Sequence, residues 1–513
     1  MSHFRSERNY LSGDKIIKLF NTLSGKKEPF IPIDPKGNVK IYICGLTPQD
    51  KAHFGHGLKS IRFDFILRYL KYSGFKTKFV ENVTDIDDKI IARAATTGED
   101  PTVFTREIVD EFYRLLGELK VLPPDRLIRV SQALEEIKLY AKSLIDKGFA
   151  YATSAGNVYF SVSKFSGYGK LSKQDLSALQ SGGRVESEPD KIDPLDFALW
   201  KKDDESSLAV ESEWGRGRPG WHIECSAMID HVLGAPIDIH GGGLDLKFPH
   251  HENEIAQSEA HNNCQLAKYW IHTGLLIVDG VKMSKSLGNF ITLAQAVDSY
   301  GAPLLRYLSA TTHYSAPLNF SEKFLAEHCN SLWEFFVVLK EAELLLAKYD
   351  IKIDESSPKF NRDLISKLKV QFEESMDDDF NTAATLVFLR SLVRSLRELC
   401  FSFTENDLSE ILTTAFALRE FCEIIGFIDF DLEETFNQLL QVNRRVYQKS
   451  PINLKKIKEL LIERIKAREG NDFKLADSIR DQLKIAGLEY LDRKNDFKPE
   501  NWFFLNLRFV SRY

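Results

Sequence analysis

Four consecutive segments decide how this chain folds: Lys40-Ile41-Tyr42-Ile43-Cys44, then His53-Phe54-Gly55-His56, then residues 58–73, then Lys78-Phe79-Val80. The first is short, apolar and rich in β-branched and aromatic residues, as a buried strand is. In the third, Ile61, Phe65, Tyr69 and Tyr72 recur at helical spacing, and Gly74 ends the helix they predict. The fourth opens a second strand. Strand, helix and strand in one short stretch make a βαβ unit, and such units build parallel sheets that bind nucleotides at their strand ends. Downstream, Pro236-Ile237-Asp238-Ile239-His240 resumes the pattern. Residues 129–217 lie between, with helical stretches and a loop-rich run at 181–194, and read as an insertion. Beyond Phe320 long amphipathic helices predominate, as at 332–346 and 383–400, which predicts a helical bundle. Two further helical patterns follow, then an aromatic tail with Trp502-Phe503-Phe504. The predicted class is α/β: a parallel nucleotide-binding sheet with an insertion, then a helical bundle and a small C-terminal domain.

Size and composition agree. A chain of 513 residues has room for roughly three to five domains, and 43% apolar with 28% charged residues is ordinary for a soluble protein. No uncharged apolar run reaches the ~18 residues a membrane span needs. Residues 1–13 hold no apolar stretch and read as a flexible lead. The net charge of −6 conceals an asymmetry. From Gln441 to Tyr513 there are 17 Lys and Arg against 10 Asp and Glu, a local +7 on a body of −13. A large enzyme with one polyanion-binding module shows that pattern, and so does a solvated basic helix face. The six cysteines (44, 225, 264, 329, 400 and 422) are far apart and form no CxxC pair. Reduced thiols and a cytoplasmic location are therefore expected, and any metal site must be assembled from distant segments.

His53-Phe54-Gly55-His56 falls where the first helix begins. A helix start offers free N–H groups and a positive dipole end to phosphate. Two histidines one turn apart can face the same phosphate oxygens, and Gly55 keeps the approach clear. Far downstream, Lys282-Met283-Ser284-Lys285-Ser286 sits in a polar loop, where two lysines can close over a triphosphate and neutralise the leaving pyrophosphate. No GxxxxGK[ST] loop is present. A third feature is Pro249-His250-His251-Glu252-Asn253-Glu254. His250 and Glu254 are four apart and share one helix face, and with Cys44 and Cys225 they would make a zinc set of two thiolates, imidazole and carboxylate. Spacing alone fits equally a surface His–Glu pair and two small core cysteines.

The HxGH and KMSKS motifs together resemble the class I aminoacyl-tRNA synthetases. Within that class the cysteine-specific enzymes are most similar, through Tyr42-Ile43-Cys44-Gly45, residues 82–89 (Asn-Val-Thr-Asp-Ile-Asp-Asp-Lys), residues 221–225, His240-Gly241-Gly242-Gly243 and residues 248–254. The resemblance runs from about Ile16 to Leu491. It implies a Rossmann-type catalytic domain that joins L-cysteine to tRNA(Cys) through a cysteinyl-adenylate. His53, His56, Lys282 and Lys285 would be catalytic; His53, His56, Gly243, Asp245 and Lys285 would hold ATP, taken with Mg²⁺. Gly45, Thr84, Trp221 and His240 would line the amino-acid pocket, and Cys44, Cys225, His250 and Glu254 would bind one Zn²⁺. A zinc–thiolate bond separates cysteine from serine, which ordinary contacts with near-isosteres do poorly. Four protein ligands usually close a structural zinc site, so this reading needs the substrate sulfur as a fifth ligand.

The implied domains are a lead at 1–13, catalytic halves at 14–128 and 218–265 around a connective insertion at 129–217, a KMSKS-containing linking domain at 266–325, a bundle at 326–445 and an anticodon-binding domain at 446–513. A monomer is expected. Asp85, Asp87 and Asp88 resemble a magnesium cluster, but the reading favoured here is that Thr84 or Asp85 caps a helix starting near Asp87. Leu46 and Gln49 stand where the family usually has Pro and Tyr. A cysteine:amino-sugar ligase would share the zinc and ATP motifs but usually lacks the RNA-reading end, and a silent tRNA-binding relative would not need His53, His56 and Lys285 intact.

Overall fold

The computed structural model describes residues 16–174, 190–283, 287–491 and 507–510. The lead at 1–13, most of the loop run at 181–194, Lys285 and the Trp502-Phe503-Phe504 tail lie outside them. A hairpin of β1 (Lys18–Asn21) and β2 (Lys26–Pro29) leads into β3 (Asn38–Leu46), α1 (Phe54–Tyr72) and β4 (Lys76–Val83). Helices α2 (Asp88–Thr97) and α3 (Pro101–Glu118) lead to β5 (Arg126–Arg129). The insertion carries α4 (Leu134–Asp146) and four strands, β6 (Ala150–Ala152), β7 (Val158–Phe160), β8 (Phe197–Lys202) and β9 (Gly217–Pro219), which form an antiparallel sheet of their own.

The chain then returns through α5 (Trp221–Val232), β10 (Ile237–Gly243), α6 (His250–Asn262) and β11 (Ala267–Thr273). The central sheet has the order β11-β10-β3-β4-β5, all parallel. The chain leaves the first half from one side of β3 and re-enters on the other, so the strand order reverses beside β3. In open α/β sheets that reversal leaves a crevice at the carboxyl ends of the strands, the usual place for a ligand. The last strand of the sheet lies beyond residue 265, where the sequence reading closes the catalytic half.

Next come β12 (Leu276–Val278), β13 (Val281–Lys282), α7 (Leu293–Tyr300), α8 (Ala302–Ala310) and β14 (Leu318–Phe320). The bundle is built from α9 (Glu322–Ala347), α10 (Arg362–Asp377), α11 (Thr382–Phe401), α12 (Leu408–Ile425) and α13 (Leu432–Tyr447). The C-terminal segment adds α14 (Leu454–Glu469), α15 (Phe473–Ile485) and a two-stranded ladder of β15 (Leu488–Tyr490) and β16 (Leu507–Phe509). One apolar core runs from the sheet through α1 into the bundle, and a second lies under the insertion and the α5–α6 side. No helix among the described residues is long and apolar enough to cross a membrane.

Helix α1 begins at Phe54, a turn before the regular apolar spacing does, because Gly55 and Gly57 interrupt that spacing. The helix after β4 begins at Asp88, capped by Asp87, whose carboxylate accepts the Lys89 N–H at 2.9 Å. This corrects the capping role given to Thr84 or Asp85. Thr84 is buried, with its hydroxyl accepting from Asn82, and Asp85 accepts instead from the Ser131 N–H and hydroxyl.

Candidate metal and nucleotide site

Cys44 lies near the carboxyl end of β3, at the crevice. Cys225 lies inside α5, one turn from its start. The chain turns into α5 at Gly220, where a Cβ would stand 2.0 Å from the Ala198 carbonyl oxygen. His250 opens α6, and Glu254 follows one turn later on the same face. These four side chains meet. Their ligand atoms all lie within 4.8 Å of one another, and all four residues are buried. The Cys44 and Cys225 sulfurs are 3.8 Å apart, well beyond the ~2.05 Å of a disulfide. His250 Nε2 is 2.9 Å from Glu254 Oε1, and Cys44 Sγ is 3.6 Å from that oxygen.

Two sulfurs, one imidazole nitrogen and one carboxylate oxygen are a zinc-type donor set, and their convergence in a water-poor pocket fits that ion. The electrostatics agree. Burial pushes the Cys44 thiol up, while the hydrogen bond from Cys44 brings Cys225 down to about 6. Burial opposes charge on Glu254, but His240 and His250 outweigh it and hold the carboxyl well below its usual range. Burial likewise lowers His250, yet Glu254 and the Cys225 sulfur lift it to about 10. A second set (Cys44, His240, His251 and Glu254) meets the same distance criterion. It shares Cys44 and Glu254 with the first: His240 Nε2 is 2.6 Å from Glu254 Oε2, and His251 Nε2 is 3.3 Å from Cys44 Sγ, with its Nδ1 2.8 Å from His272 Nε2.

A cavity of about 970 Å³ opens over this cluster. Its lining includes Cys44, Cys225 and His250 together with His53 and His56, and also Gly45, Thr84, Trp221, Gly243 and Asp245. The Trp221 ring stacks on His250 at 4.3 Å. His240 and Glu254 lie beneath the wall, with His240 stacked on Trp270 at 4.6 Å. His53 and His56 stack at 3.7 Å, and the His53 N–H donates to His56 Nδ1 at 3.3 Å. A Cβ at Gly55 would lie 2.8 Å from the His53 ring, so glycine lets that ring fold over the helix start. Burial makes both histidines harder to protonate, His56 strongly, and Asp245 partly offsets this at His53. Lys282 ends β13 and Met283 reaches the cavity wall, while Lys285 lies outside the described residues.

Sequence reasoning missed several neighbours. His222 Nδ1 lies 3.1 Å from His250 Nδ1, and His251 Nε2 lies 3.3 Å from Cys44 Sγ. Lys59, Glu81 and Asn82 pack around the Cys44–Gly45 peptide. A signal for two of them existed: Lys59 follows His56 by about one helical turn, and Asn82 precedes Thr84 by two residues, the spacing that shares one strand face.

Comparison with known proteins agrees with this geometry. Residues 30–330 match the model of the class I (C) tRNA synthetase catalytic domain, and residues 371–429 match a DALR domain. A cysteine–tRNA ligase from Francisella philomiragia is 41% identical over 469 residues, which is 91% of this chain and 96% of the relative. A cysteine–tRNA ligase from Coxiella burnetii is also 41% identical, covering 93% of this chain and 97% of its own length. Among solved structures, Mycobacterium tuberculosis methionyl-tRNA synthetase in complex with methionyl-adenylate superposes with a TM-score of 0.56 at 15% identity, over 78% of this chain and 91% of that one, a likeness of fold. With catalytic-domain match, near-complete relatives and assembled cluster in agreement, the chain belongs to the cysteine–tRNA ligase family of class I tRNA synthetases.

Proposed function

We propose that this enzyme activates L-cysteine with ATP and transfers it to the 3′ end of tRNA(Cys). The observation that carries the reading is the convergence of Cys44, Cys225, His250 and Glu254 beneath the cavity that His53 and His56 also line. The cysteine carboxylate attacks the α-phosphate of ATP in line, giving the adenylate and pyrophosphate, and the terminal ribose hydroxyl of the tRNA then displaces AMP. His53 and His56, at the start of α1, face the phosphates beside the helix dipole. Gly243 and Asp245 border the nucleotide, while Gly45, Thr84 and Trp221 line the amino-acid end and His240 backs it through Glu254. Lys282 and Lys285 neutralise the departing pyrophosphate, a role that rests on their motif. Zn²⁺ held by Cys44, Cys225, His250 and Glu254 would supply a Lewis-acidic bond for the substrate sulfur.

The bordering segments take the roles implied by the family: 14–128 and 218–265 catalysis, with β11 (Ala267–Thr273) completing their sheet, 129–217 connection, the rest of 266–325 linkage, 326–445 the bundle and 446–513 the anticodon. The enzyme is read as a cytoplasmic monomer using ATP with Mg²⁺. Exchange of labelled pyrophosphate into ATP tests the reading. Cysteine should support exchange and serine should fall below it by more than the ~100-fold that ordinary pocket contacts achieve. Lys285→Ala should slow exchange and leave zinc content unchanged. Equal exchange with serine, or charging of tRNA with another amino acid, would refute the assignment.

A further inference from the structure

β3 and β4 run in regular register from Asn38↔Lys76 to Ile43↔Glu81, and pairing resumes at Leu46↔Val83. Three residues advance on β3 while two advance on β4, so β3 carries a bulge at Cys44–Gly45. A bulge takes backbone groups out of the ladder and re-aims the side chain it bears. Here both polar groups of a single peptide are taken by side chains. The Cys44 carbonyl accepts from Lys59 Nζ at 2.6 Å, and the Gly45 N–H donates to Asn82 Oδ1 at 2.8 Å. The approach is too close for a side chain: a Cβ at Gly45 would stand 1.7 Å from the Asn82 carbonyl oxygen.

Both partners are themselves fixed. Lys59 is largely buried and pairs with Glu81 at 3.2 Å, and Glu81 also accepts from the Tyr113 hydroxyl at 3.0 Å. Asn82 is buried, and its amide donates to Thr84 Oγ1 at 3.2 Å. Lys59, Asn82, Gly45 and Thr84 all reach the cavity wall.

We propose that Lys59 and Asn82 are positioning residues for the metal and amino-acid pocket. They grip the Cys44–Gly45 peptide from its two polar ends and so set the direction in which the Cys44 sulfur is presented, while Asn82 also orients the Thr84 hydroxyl. The proposal rests on the reading above that Cys44 is a zinc ligand.

The test uses the full chain and three readouts: zinc retention against a competing chelator, the visible spectrum of the cobalt-substituted protein, and KM for cysteine and for ATP in pyrophosphate exchange. Asn82→Ala and the charge-balanced double variant Lys59→Met with Glu81→Gln should each weaken metal retention by about 10–100-fold, the usual cost of losing an outer partner. The cobalt bands should shift, and KM for cysteine should rise while KM for ATP stays within about twofold. Asn82→Asp keeps an acceptor for the Gly45 N–H and loses the amide to Thr84. It should therefore restore metal retention but not KM for cysteine. Parent-like retention and spectra in the first two variants would overturn the proposal alone. A parent chain that holds no zinc would overturn the reading beneath it as well.

Discussion

Asp64 and Glu254 are both carboxylates with no exposed surface, and they answer burial in different ways. Asp64 brings its own permanent cations. Its Oδ2 accepts from Arg306 Nη2 at 2.6 Å and from Arg68 Nε at 2.7 Å, and its Oδ1 accepts the Leu122 N–H at 2.9 Å. Arg306 also donates to the carbonyls of Leu119 and Ile425, and so ties α1 and α8 to the end of α12 in the bundle. None of these three side chains reaches the cavity. Glu254 is surrounded instead by imidazoles and a thiol, groups whose charge depends on protons, beneath a cavity. A buried acid closed by guanidinium holds the structure together, whereas one among titratable soft donors is a place for an added cation.

Breaking the first cluster should give the largest effect. Asp64→Ala leaves the fully buried Arg306 guanidinium without its carboxylate, next to the partly buried Arg68. Stability should drop by about 3–5 kcal/mol, the usual cost of removing one partner from a buried pair. The midpoint of urea unfolding with unchanged slope reads this directly. Adding Arg306→Leu should recover part of the loss. An unchanged midpoint in Asp64→Ala would erase the distinction. The second cluster should break differently. Cys225→Ser should weaken zinc retention by more than the roughly 10–100-fold that an outer partner costs. Cysteine activation should fall with it, while the urea midpoint of the metal-free protein moves less than in Asp64→Ala. Full zinc occupancy in the Cys225 variant would remove the metal reading.

The two clusters were unequally legible in the sequence. His250 and Glu254 share a helix face by spacing, and the HxGH and KMSKS motifs are local words, so these could be read in one dimension. Cys44 and Cys225 could be set beside them by donor chemistry, but only the family resemblance favoured that set over two core cysteines, since a strand residue and a helix residue so far apart carry no periodic signal for each other. The Asp64–Arg306 pair was invisible for the same reason, as was the Lys59–Asn82 grip, which depends on a bulge that no alternation pattern records. The parallel sheet was legible because its βαβ units repeat apolar strand and amphipathic helix. The antiparallel sheet of the insertion was not: β6, β7 and β9 are three residues each, too short to show alternation.

Acid sharpens the contrast by a smaller amount. Burial lowers the affinity of His56 and His53 for protons below the ordinary imidazole value near 6.5. Below that pH the unfolded chain binds protons that the folded chain refuses, so stability falls as pH falls, and above it these groups contribute no slope. Each such histidine adds at most ~1.4 kcal/mol per pH unit between its unfolded and folded values. These two histidines should therefore lower the melting temperature as pH falls below about 6.5 and leave it unaffected from about pH 7 to 8. His56→Gln should flatten part of that decline. A slope that His56→Gln leaves intact would assign the acid sensitivity elsewhere.

The smallest effect isolates what burial contributes. Arg445 Nε lies 2.8 Å from Glu322 Oε1, close to the distances around Asp64, and its guanidinium covers the Tyr300 ring at 4.8 Å. The chemistry is the same, but the two side chains keep 39% and 51% of their surface in water. Water already solvates both charges, so removing one strands nothing. A double-mutant cycle on Arg445→Ala and Glu322→Ala should give a coupling under about 1 kcal/mol. Near 1 M salt, where the screening length is ~3 Å, most of it should vanish, while the Asp64 loss persists because ions cannot reach that pair. A salt-resistant coupling as large as the loss in Asp64→Ala would mean that arginine–carboxylate geometry, rather than exclusion from water, sets the strength of both pairs.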